Sequence, residues 1–407
     1  RPAISFARIC DDAARRPHRA EADSLSVSRS QAAMFRFLHA SDLHIGKRFG
    51  TLPEELRGRL REARHSVLDR LAAQARAGGA QTVLLAGDSF DTETPSPAML
   101  RQALAAMAGH APLRWVILPG NHDSLLADEL WAATRAALPA NVVLATEAAP
   151  LALAPDVVIL PAPCTTRRPG RDLTDWMDAA TTPEGALRIG LAHGAIQSFS
   201  EDGGSLDIIA PDRAIRAGLD YLALGDWHGQ MPIGPRSWYS GSPEPDRFKH
   251  DQPGRALLVS LTGPGAMPEV TPVETGSFDW RSLPLDLLSG DDGTAALTER
   301  LPAGPVRRQT LLRVVATGRL RPQARAGLEA AIAAVAPEFA FLQLDAEALA
   351  TDCESDDLDA IDRAGALRQA ADALLAESLD EARSAAERQA ARDALARLFS
   401  YCAAMPA

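Results

Sequence analysis

Five short polar motifs between residues 42 and 228 carry the side chains of this sequence that are best suited to metal chemistry. In chain order they are Asp42-Leu43-His44, Gly87-Asp88, Gly120-Asn121-His122-Asp123, His193-Gly194 and Gly225-Asp226-Trp227-His228. Each motif lies where an apolar run meets a turn, so that a strand end can present short side chains to a shared cleft. One Asp-x-His is usually an ordinary exposed pair, but coincidence is a poor explanation for five motifs together.

The chemistry that this set of side chains suits is hydrolysis of a phosphoester. Such a reaction needs a hydroxide in line with the leaving oxygen and neutralisation of the phosphoryl charge. Two divalent ions about 3.5 to 4 Å apart do both, because a bound metal lowers the pKa of water from 15.7 toward about 7. The ions need carboxylate and imidazole ligands from several chain segments, with one carboxylate able to bridge.

The spacing within the motifs suggests how the ligands divide between two ions. Residues i and i+2 of an extended strand share a face, which predicts two ion-holding pairs, Asp42 with His44 and Asp226 with His228. Gly87 lacks a side chain, so the backbone can come close to the site beside the next residue. The remaining expected ligands are a bridging carboxylate, an amide oxygen and an imidazole, from Asp88, Asn121 and His193. Of the other histidines, only His39 is a candidate to support a ligand.

Composition describes an ordinary folded protein with a sizeable core. The chain has 407 residues, of which 46% are hydrophobic, and a formal net charge of -11. This charge argues against a surface coated with basic residues, but a metal site can recruit phosphates locally. No apolar run is long enough for a membrane span, and the start of the chain lacks a signal-peptide core. Four scattered cysteines form no disulfide framework, which favours a reducing, cytoplasmic location.

The pattern of apolar runs predicts where the folded part begins. Residues 1–33 are polar and aperiodic, and we interpret them as a disordered or mis-assigned leader before Met34. From there, short buried strands alternate with helices expected over 53–77, 97–109 and 128–137. This alternation predicts a layered α/β fold whose sheets are covered by helices, over 34–278.

Two further segments follow the core. Residues 279–350 contain a Pro/Gly-rich stretch over 284–305, interpreted as a hinge, and then a strand, helix and strand pattern. Residues 351–407 show one-sided apolar stripes and predict helices, with an acidic solvated face. These helices suit packing on their own domain about as well as binding of a partner.

The order of the motifs resembles that of the calcineurin-like metallophosphoesterases. The residues around the first two motifs resemble more closely the SbcD-like and YhaO-like DNA repair exonucleases. These segments are Leu38-His39-Ala40-Ser41-Asp42-Leu43-His44-Ile45-Gly46 and Ala86-Gly87-Asp88-Ser89-Phe90-Asp91. The resemblance implies a β-sandwich flanked by helices, a small α/β capping domain over 279–350 and C-terminal helices. It also implies a DNA substrate, an SbcC-like coiled-coil ABC-type ATPase as partner, and often a homodimer.

The resemblance also implies a role for each motif residue. One ion would be held by Asp42, His44 and His228, and the other by Asn121, His193 and Asp226, with Asp88 between them. His122 would protonate the leaving 3′ oxygen as general acid, supported by Asp123. An imidazole suits this role because it changes charge near neutral pH. The ions would be Mn²⁺, with Mg²⁺ as the alternative.

Asp226 departs from the family pattern, in which the last motif usually reads G-H-x-H. A carboxylate at this position can still bind an ion and favours hard metals such as Mn²⁺ or Mg²⁺. The alternative is that Asp226 turns away and leaves a degraded second site. Lys47 and Arg48 follow the first motif directly. We interpret them either as contacts to a DNA phosphate or as an ordinary solvated pair.

Three functions remain compatible with the sequence. We favour a Mn²⁺-dependent DNA nuclease that works with an SbcC-like ATPase. A small-molecule phosphodiesterase or phosphatase on the same core is the second, since a metal site does not fix the substrate. The third is a weakly catalytic scaffold for an ATPase-DNA complex. The mobile rim loop expected at Ser200–Ser205 and stacking by Trp227 or Trp238 would serve a nucleic acid substrate.

Overall fold

The computed structural model describes residues 34–196, 208–352 and 365–404. The leader and the rim loop predicted from the sequence lie outside the described residues. No helix of the described ranges is long and apolar enough to cross a membrane.

The first sheet has six strands, most of them parallel. In spatial order it contains β14 (Glu269–Glu274), β13 (Arg255–Leu261), β1 (Phe35–Ala40), β2 (Thr82–Leu85), β3 (Arg114–Ile117) and β4 (Val142–Leu144). Strands β1 to β4 are parallel, β13 pairs antiparallel with β1, and β14 pairs antiparallel with β13 at the edge of the sheet. All four residues of β2 are buried, because this central strand is covered on both faces.

The second sheet also has six strands. Its order is β11 (Met231–Gly234), β12 (Ser237–Tyr239), β10 (Tyr221–Gly225), β7 (Leu187–His193), β6 (Val157–Ala162) and β5 (Leu151–Ala154). Its four inner strands are parallel, and its two edge strands run antiparallel to their neighbours. A small separate pair is formed by β8 (Ala195–Ile196) and β9 (Ile208–Ile209).

The two large sheets pack face to face, with apolar side chains of both sheets in one cluster. Phe37 and Val116 from the first sheet meet Ile159, Leu191 and Ala223 from the second. Helix α1 (Glu54–His65) packs Leu56 and Leu60 against Trp280 and Leu311 from later in the chain. The outer faces are covered by α2 (Val67–Ala77), α3 (Pro97–Gly109), α4 (Asp128–Ala136) and α5 (Arg213–Arg216), with a 3-10 turn at Asp175–Ala179. The predicted layered α/β fold, a β-sandwich flanked by helices, is confirmed.

The helix predicted over 53–77 is two helices in the structure. It is interrupted at Ser66, whose hydroxyl donates hydrogen bonds back to the carbonyl oxygens of Glu62 and Ala63. A serine side chain that bonds to its own helix in this way competes with the backbone pattern and favours a break. The helices predicted over 97–109 and 128–137 are present with nearly the same bounds.

A third, smaller sheet follows the sandwich. It consists of parallel strands β15 (Asp279–Leu287), β16 (Thr310–Leu320), β17 (Phe341–Asp345) and β18 (Leu349–Thr351), with α6 (Gly293–Arg300), α7 (Gly304–Arg307), α8 (Pro322–Val335) and a 3-10 turn at Ala336–Glu338. The prediction of a hinge over 284–305 is wrong. Pro284 lies inside β15, an edge strand that tolerates a missing N–H, and Asp292 caps α6.

Two helices end the described chain, α9 (Ala366–Leu379) and α10 (Ala385–Ala404). They pack on each other through a small cluster around Ala371, Leu395 and Phe399, and Ala326 of α8 packs against the same cluster. The predicted helices of this segment are present where the structure describes it.

Candidate metal centre

Both large sheets present the carboxyl ends of their parallel strands at one edge, and the polar motifs lie there. In the second sheet, Gly225 at the end of β10 pairs with His193 at the end of β7. In the first sheet, Leu85 at the end of β2 pairs with Ala40 of β1 and Ile117 of β3. The loops after these strands therefore meet across the top of the sandwich.

The first motif does not continue its strand, as the i, i+2 argument assumed. Strand β1 ends at Ala40, and both Asp42 and His44 have positive φ angles, 55° and 44°. The two side chains still reach the same site because the loop backbone pairs with the second motif. The amides of Asp42 and His44 donate to the carbonyl oxygens of Gly87 and Asp88 at 3.1 and 3.0 Å. The prediction of an extended arrangement is wrong, but the convergence it implied is present.

Positive φ angles recur at the carboxylates of the site. Besides the first motif, Asp88 has a φ of 53° and Asp226 a φ of 100°. Left-handed backbone in residues other than glycine costs roughly 1 to 3 kcal/mol each and clusters at functional sites. The fold keeps these strained conformations just after the strand ends, where an extended backbone would point the side chains elsewhere.

Two glycines allow the loops to approach closely. Gly87 has a φ of +89°, and a Cβ built on it would lie 2.2 Å from Nδ1 of His193. A Cβ on Gly225 would lie 2.0 Å from the carbonyl oxygen of Ala86. The predicted close approach at Gly87 is confirmed, and any larger residue at either position would push the two sheets apart at the site.

The first predicted ligand set is assembled. Potential ligand atoms of Asp42, His44 and His228 all lie within 4.8 Å of one another. The Nε2 atoms of the two histidines are 3.2 Å apart, and Nε2 of His228 is 3.9 Å from Oδ1 of Asp42. This is the convergence of nitrogen and oxygen donors that a divalent ion needs.

Asp88 lies between this set and the next one. Its Oδ2 is 3.7 Å from Nε2 of His44, whereas its Oδ1 is 3.5 Å from Nε2 of His193. The two oxygens of one carboxylate therefore face two different imidazoles, as a bridging ligand requires. The backbone amide of His122 donates to Oδ1 at 2.8 Å and fixes the orientation of the carboxylate.

The second predicted set comprises Asn121, His193 and Asp226. Asn121 donates from Nδ2 to Oδ1 of Asp226 at 3.2 Å, and Nε2 of His193 lies 3.8 Å from the same oxygen. Asp226 therefore faces the site and does not turn away. The potential ligand atoms that lie within 4.8 Å of one another around His193 nevertheless come from Asp42 and Asp88. Asp226 therefore lies at the edge of the second predicted set.

The donor set fits a pair of divalent ions. Two of its buried atoms, Nε2 of His193 and Oδ1 of Asn121, have no hydrogen-bond partner among the described residues. Buried polar atoms are rarely left unpaired, and both atoms are lone-pair donors of the kind that ions accept. Three carboxylates, an amide and three imidazoles around them match the preference of Mn²⁺ and Mg²⁺ for oxygen with some nitrogen.

His193 and His228 share one mode of attachment, which leaves Nε2 directed inward. Nδ1 of His193 donates to the carbonyl oxygen of Ala86 at 2.9 Å, and Nδ1 of His228 donates to Oδ1 of Asp246 at 3.1 Å. Nδ1 of His44 lies 3.2 Å from Oδ1 of Asp91. An acceptor at Nδ1 fixes the tautomer and leaves the Nε2 lone pair for a metal.

The concentration of carboxylates is visible in the pKa values of the site. Burial, with a smaller contribution from Asp123 and Asp42, raises the pKa of Asp88 well above its usual value. Burial alone would lower the pKa of His193, but Asp88, Asp42 and Asp226 raise it to about 9. Such a buried excess of negative charge favours cations.

His122 is outside the two predicted sets, but it forms a third group of potential ligands with His44 and Asp88, whose ligand atoms lie within 4.8 Å of one another. Its Nδ1 donates to the carbonyl oxygen of Asp91 at 2.9 Å, and its ring packs edge-on against His44 with centroids 4.8 Å apart. It lines a cavity of about 200 Å³ together with Asp88 and Asp226. With Nδ1 occupied, Nε2 is the atom that can exchange a proton with a bound molecule.

Asp123, predicted to support His122, contacts the backbone of the neighbouring loops. Its carboxylate is fully buried and accepts hydrogen bonds from the backbone amides of Phe90 and Gly120 at 3.0 and 2.7 Å. Within the described chain, no hydrogen bond joins it to the His122 ring. Asp123 ties the second motif to the third, and it acts on His122 only by fixing that loop.

Two supporting carboxylates were missed from the sequence. Asp91 holds His122 through its carbonyl oxygen and His44 through its carboxylate. Its signal was present as the second aspartate of Gly87-Asp88-Ser89-Phe90-Asp91. Asp246 holds His228 and contacts Arg64 and Lys47, yet nothing in Ser242-Pro243-Glu244-Pro245-Asp246 indicates a metal site.

Three further predicted candidates have clear positions. Nζ of Lys47 lies 2.7 Å from Oδ2 of Asp246, so it forms an ion pair, while Arg48 is exposed. His39 is fully buried, 3.0 Å from the Tyr221 hydroxyl and 3.2 Å from the Leu224 carbonyl oxygen. His39 therefore packs inside the sandwich and touches no ligand.

The two tryptophans differ in position. Trp238 packs against the cluster between the sheets. Trp227 lines the cavity beside the ligands, with Nζ of Lys249 5.2 Å from its ring centroid. Core packing therefore explains Trp238, whereas Trp227 is accessible from the site.

Comparison with protein families agrees with this geometry. Residues 35–260, more than half of the chain, match the model of the calcineurin-like phosphoesterases. The chain belongs to the calcineurin-like phosphoesterase family. This phosphoesterase is thus a hydrolase of phosphate esters, in a family that typically uses two divalent ions.

No curated protein matches this phosphoesterase. A solved structure with 10% sequence identity aligns with 58% of this chain and 98% of its own length, at a TM-score of 0.40.

Proposed function

We propose that this phosphoesterase is a DNA nuclease with a dinuclear Mn²⁺ site, the catalytic subunit of a DNA repair complex in the cytoplasm. The sequence around the first two motifs resembles that of SbcD-like nucleases, which supports DNA as the substrate. So does the additional sheet after the sandwich, which a compact phosphatase for small molecules would not need. We interpret 279–350 as the capping domain and 351–407 as helices for a partner.

The observation that carries the proposal is the contact between the third sheet and the rim of the metal centre. Trp280 of β15 packs against Phe248 with centroids 4.9 Å apart, and the guanidinium of Arg313 in β16 lies 4.6 Å from the same ring. The next two residues, Lys249 and His250, line the cavity at the ligands. An accessory sheet fixed to the rim extends the surface available to a long substrate.

The chain's own residues supply orientation and proton transfer. Two divalent ions bound here would activate a water and neutralise the phosphoryl charge. Asp246, Asp91 and the Ala86 carbonyl oxygen hold the imidazoles with Nε2 inward. His122, fixed at Nδ1, donates the proton of Nε2 to the leaving 3′ oxygen, which therefore departs as a neutral hydroxyl group.

The C-terminal helices are proposed to bind an SbcC-like ABC-type ATPase. Both helices leave large apolar side chains in solvent: Leu367, Leu379 and Tyr401 are 43%, 69% and 72% exposed. Exposed apolar residues on a paired helical unit suit a partner helix. Co-purification of the ATPase with the full chain, but not with a chain truncated at about residue 350, tests this assignment. Equal co-purification would show that the partner binds elsewhere.

The nuclease function itself is tested with purified protein, linear duplex DNA and Mn²⁺. We expect release of nucleotides that stops on addition of EDTA and returns with excess Mn²⁺. Bis(p-nitrophenyl) phosphate serves as the parallel substrate, because any active site of this family that hydrolyses diesters can cleave it. Hydrolysis of this small diester without any cleavage of DNA would favour the small-molecule phosphodiesterase instead.

A further inference from the structure

A second cavity, of about 400 Å³, opens directly beside the metal centre. It shares Asn121, His193 and Asp226 with the ligand set, so its inner end is the second predicted metal position. Trp227 and Lys249 line both this cavity and the smaller one around His122. The two cavities are therefore adjacent at the candidate ligands.

Arginines of one loop line the outer part of this cavity. Arg167, Arg168 and Arg171 lie in the segment between β6 and the 3-10 turn, and all three side chains are exposed. Among the described residues, none of them forms an ion pair with a carboxylate. Three guanidinium groups without a carboxylate partner in the described part of the chain are notable at a net charge of -11. They attract an anion and can bind phosphate oxygens in a bidentate manner.

The inner walls of the cavity have a different chemistry. They combine apolar and aromatic side chains, among them Leu173, Ile196 and Tyr239, with polar ones such as Asn121 and Thr174. The cavity volume lies within the range of about 300 to 1,000 Å³ that is usual for small-molecule sites. A flat, weakly polar group fits against these walls while an anionic group faces the arginines.

We propose that this cavity binds the nucleotide next to the scissile phosphate, with its base against the apolar wall and its phosphate on Arg167, Arg168 and Arg171. The inference rests on the proposed nuclease function and specifies how that site would select its substrate. Bases stack on apolar and aromatic walls without regard to sequence, whereas guanidinium groups hold the backbone. The cavity thus favours a strand with at least two phosphates over a small diester.

Binding to the metal-free protein tests the cavity apart from catalysis. The variant Arg167→Gln, Arg168→Gln, Arg171→Gln is compared with the wild type in EDTA, by fluorescence anisotropy of a labelled single-stranded oligothymidylate. We expect binding at least 10-fold weaker. The dependence of log affinity on log salt should be less steep by roughly 0.7, since that is the contribution of one phosphate contact on a single strand.

A matched variant controls for the loss of three positive charges. Arg61, Arg101 and Arg135 are exposed on helices α1, α3 and α4 and line neither cavity. Their replacement by glutamine should leave oligonucleotide affinity and salt dependence unchanged. Equal weakening in this control would overturn the cavity assignment, because the effect would then come from net charge alone.

Hydrolysis of bis(p-nitrophenyl) phosphate with Mn²⁺ separates the two proposals. The loop variant should keep the wild-type kcat/KM on this small diester while its KM for DNA rises. If the wild type binds and cleaves DNA and the loop variant does so equally well, the cavity assignment is overturned and the nuclease function stands. If the wild type hydrolyses only the small diester and does not bind the oligonucleotide, both proposals fail.

Discussion

The Nδ1 atom of His228 lies 3.1 Å from Oδ1 of Asp246, whose side chain is fully buried. Burial alone would raise the pKa of this carboxyl group, but the hydrogen bond from His228 and the charges of Arg64 and Lys47 hold it well below its usual range. Asp246 is therefore ionised and fixes His228 with Nε2 toward the other ligands. A carboxylate behind a histidine ligand also raises its basicity.

Replacement of this carboxylate should weaken metal binding. Loss of such an outer partner typically costs 10- to 100-fold in metal affinity, and we expect about this loss for Asp246→Ala in a calorimetric titration with Mn²⁺. Asp220→Ala is the control, because Asp220 is also buried and lies next to the other end of β10, bonded to the amides of Arg188 and Gly265. Asp220→Ala should lower the free energy of unfolding without changing the affinity for Mn²⁺. Unchanged affinity in Asp246→Ala would contradict the positioning role.

Removal of the proposed proton donor should depend on the leaving group. His122→Ala is expected to lower the rate of DNA cleavage by about 10²- to 10⁴-fold, because the departing alkoxide needs a proton. Hydrolysis of bis(p-nitrophenyl) phosphate should fall far less, since p-nitrophenolate leaves without one, and metal content should not change. His250→Ala removes another imidazole from the same cavity and should retain most DNA cleavage. Equal losses on both substrates would exclude His122 as the acid.

The aspartate that departs from the family pattern is expected to be a genuine ligand. Asp226→Ala should reduce the metal content measured by mass spectrometry from two ions per chain toward one, and Asp226→His should restore two. Replacement also changes a residue with positive φ, so Asp251→Ala is the control. Asp251 has a φ of 47° and lines neither cavity of the metal centre. Two ions in Asp226→Ala would show that this carboxylate is dispensable.

A methyl group at Gly87 should disrupt the centre itself. Gly87→Ala would place Cβ 2.2 Å from Nδ1 of His193 in a left-handed backbone, so we expect lower stability together with loss of high-affinity Mn²⁺ binding. Gly185→Ala separates the two effects. Gly185 has a φ of +76° with no atom near its Cβ position, and it should lose only about 1 to 2 kcal/mol in urea unfolding. Retention of tight Mn²⁺ binding in Gly87→Ala would contradict the close approach.

Acid should destabilise the sandwich through a histidine outside the metal centre. Burial lowers the pKa of His39 to about 3, whereas its value in the unfolded chain is 6.5. Between these values only the unfolded chain binds the proton. The contribution of neutral, buried His39 to the free energy of unfolding is thus complete above pH 6.5. Below this pH, the free energy of unfolding declines by up to about 1.4 kcal/mol per pH unit. Urea unfolding from pH 4.5 to 7.5 should show a shallower slope for His39→Gln. Identical slopes would exclude His39 as the source.

The sequence by itself determined the types of the candidate ligands and the edge of the sheet at which they gather. Polar motifs after buried parallel strands must meet at the carboxyl edge, because all these strands end there. Asp42, Asp88 and His193 were found in this way, and strand periodicity gave the layered fold. These features depend on local residue patterns, which a single chain displays directly.

Only the tertiary structure decided how the ligands are held. The left-handed backbone at Asp42 and His44 arises from pairing with the loop after β2, and a sequence pattern cannot show pairing between distant loops. Asp246 reaches His228 only because the loop after β12 folds across the sheet edge. Likewise, the loop of Arg167 lies beside the metal centre because β6, which precedes it, pairs with β7, which ends at His193. Contacts of this kind depend on packing between segments far apart in the chain, so they are absent from local sequence information.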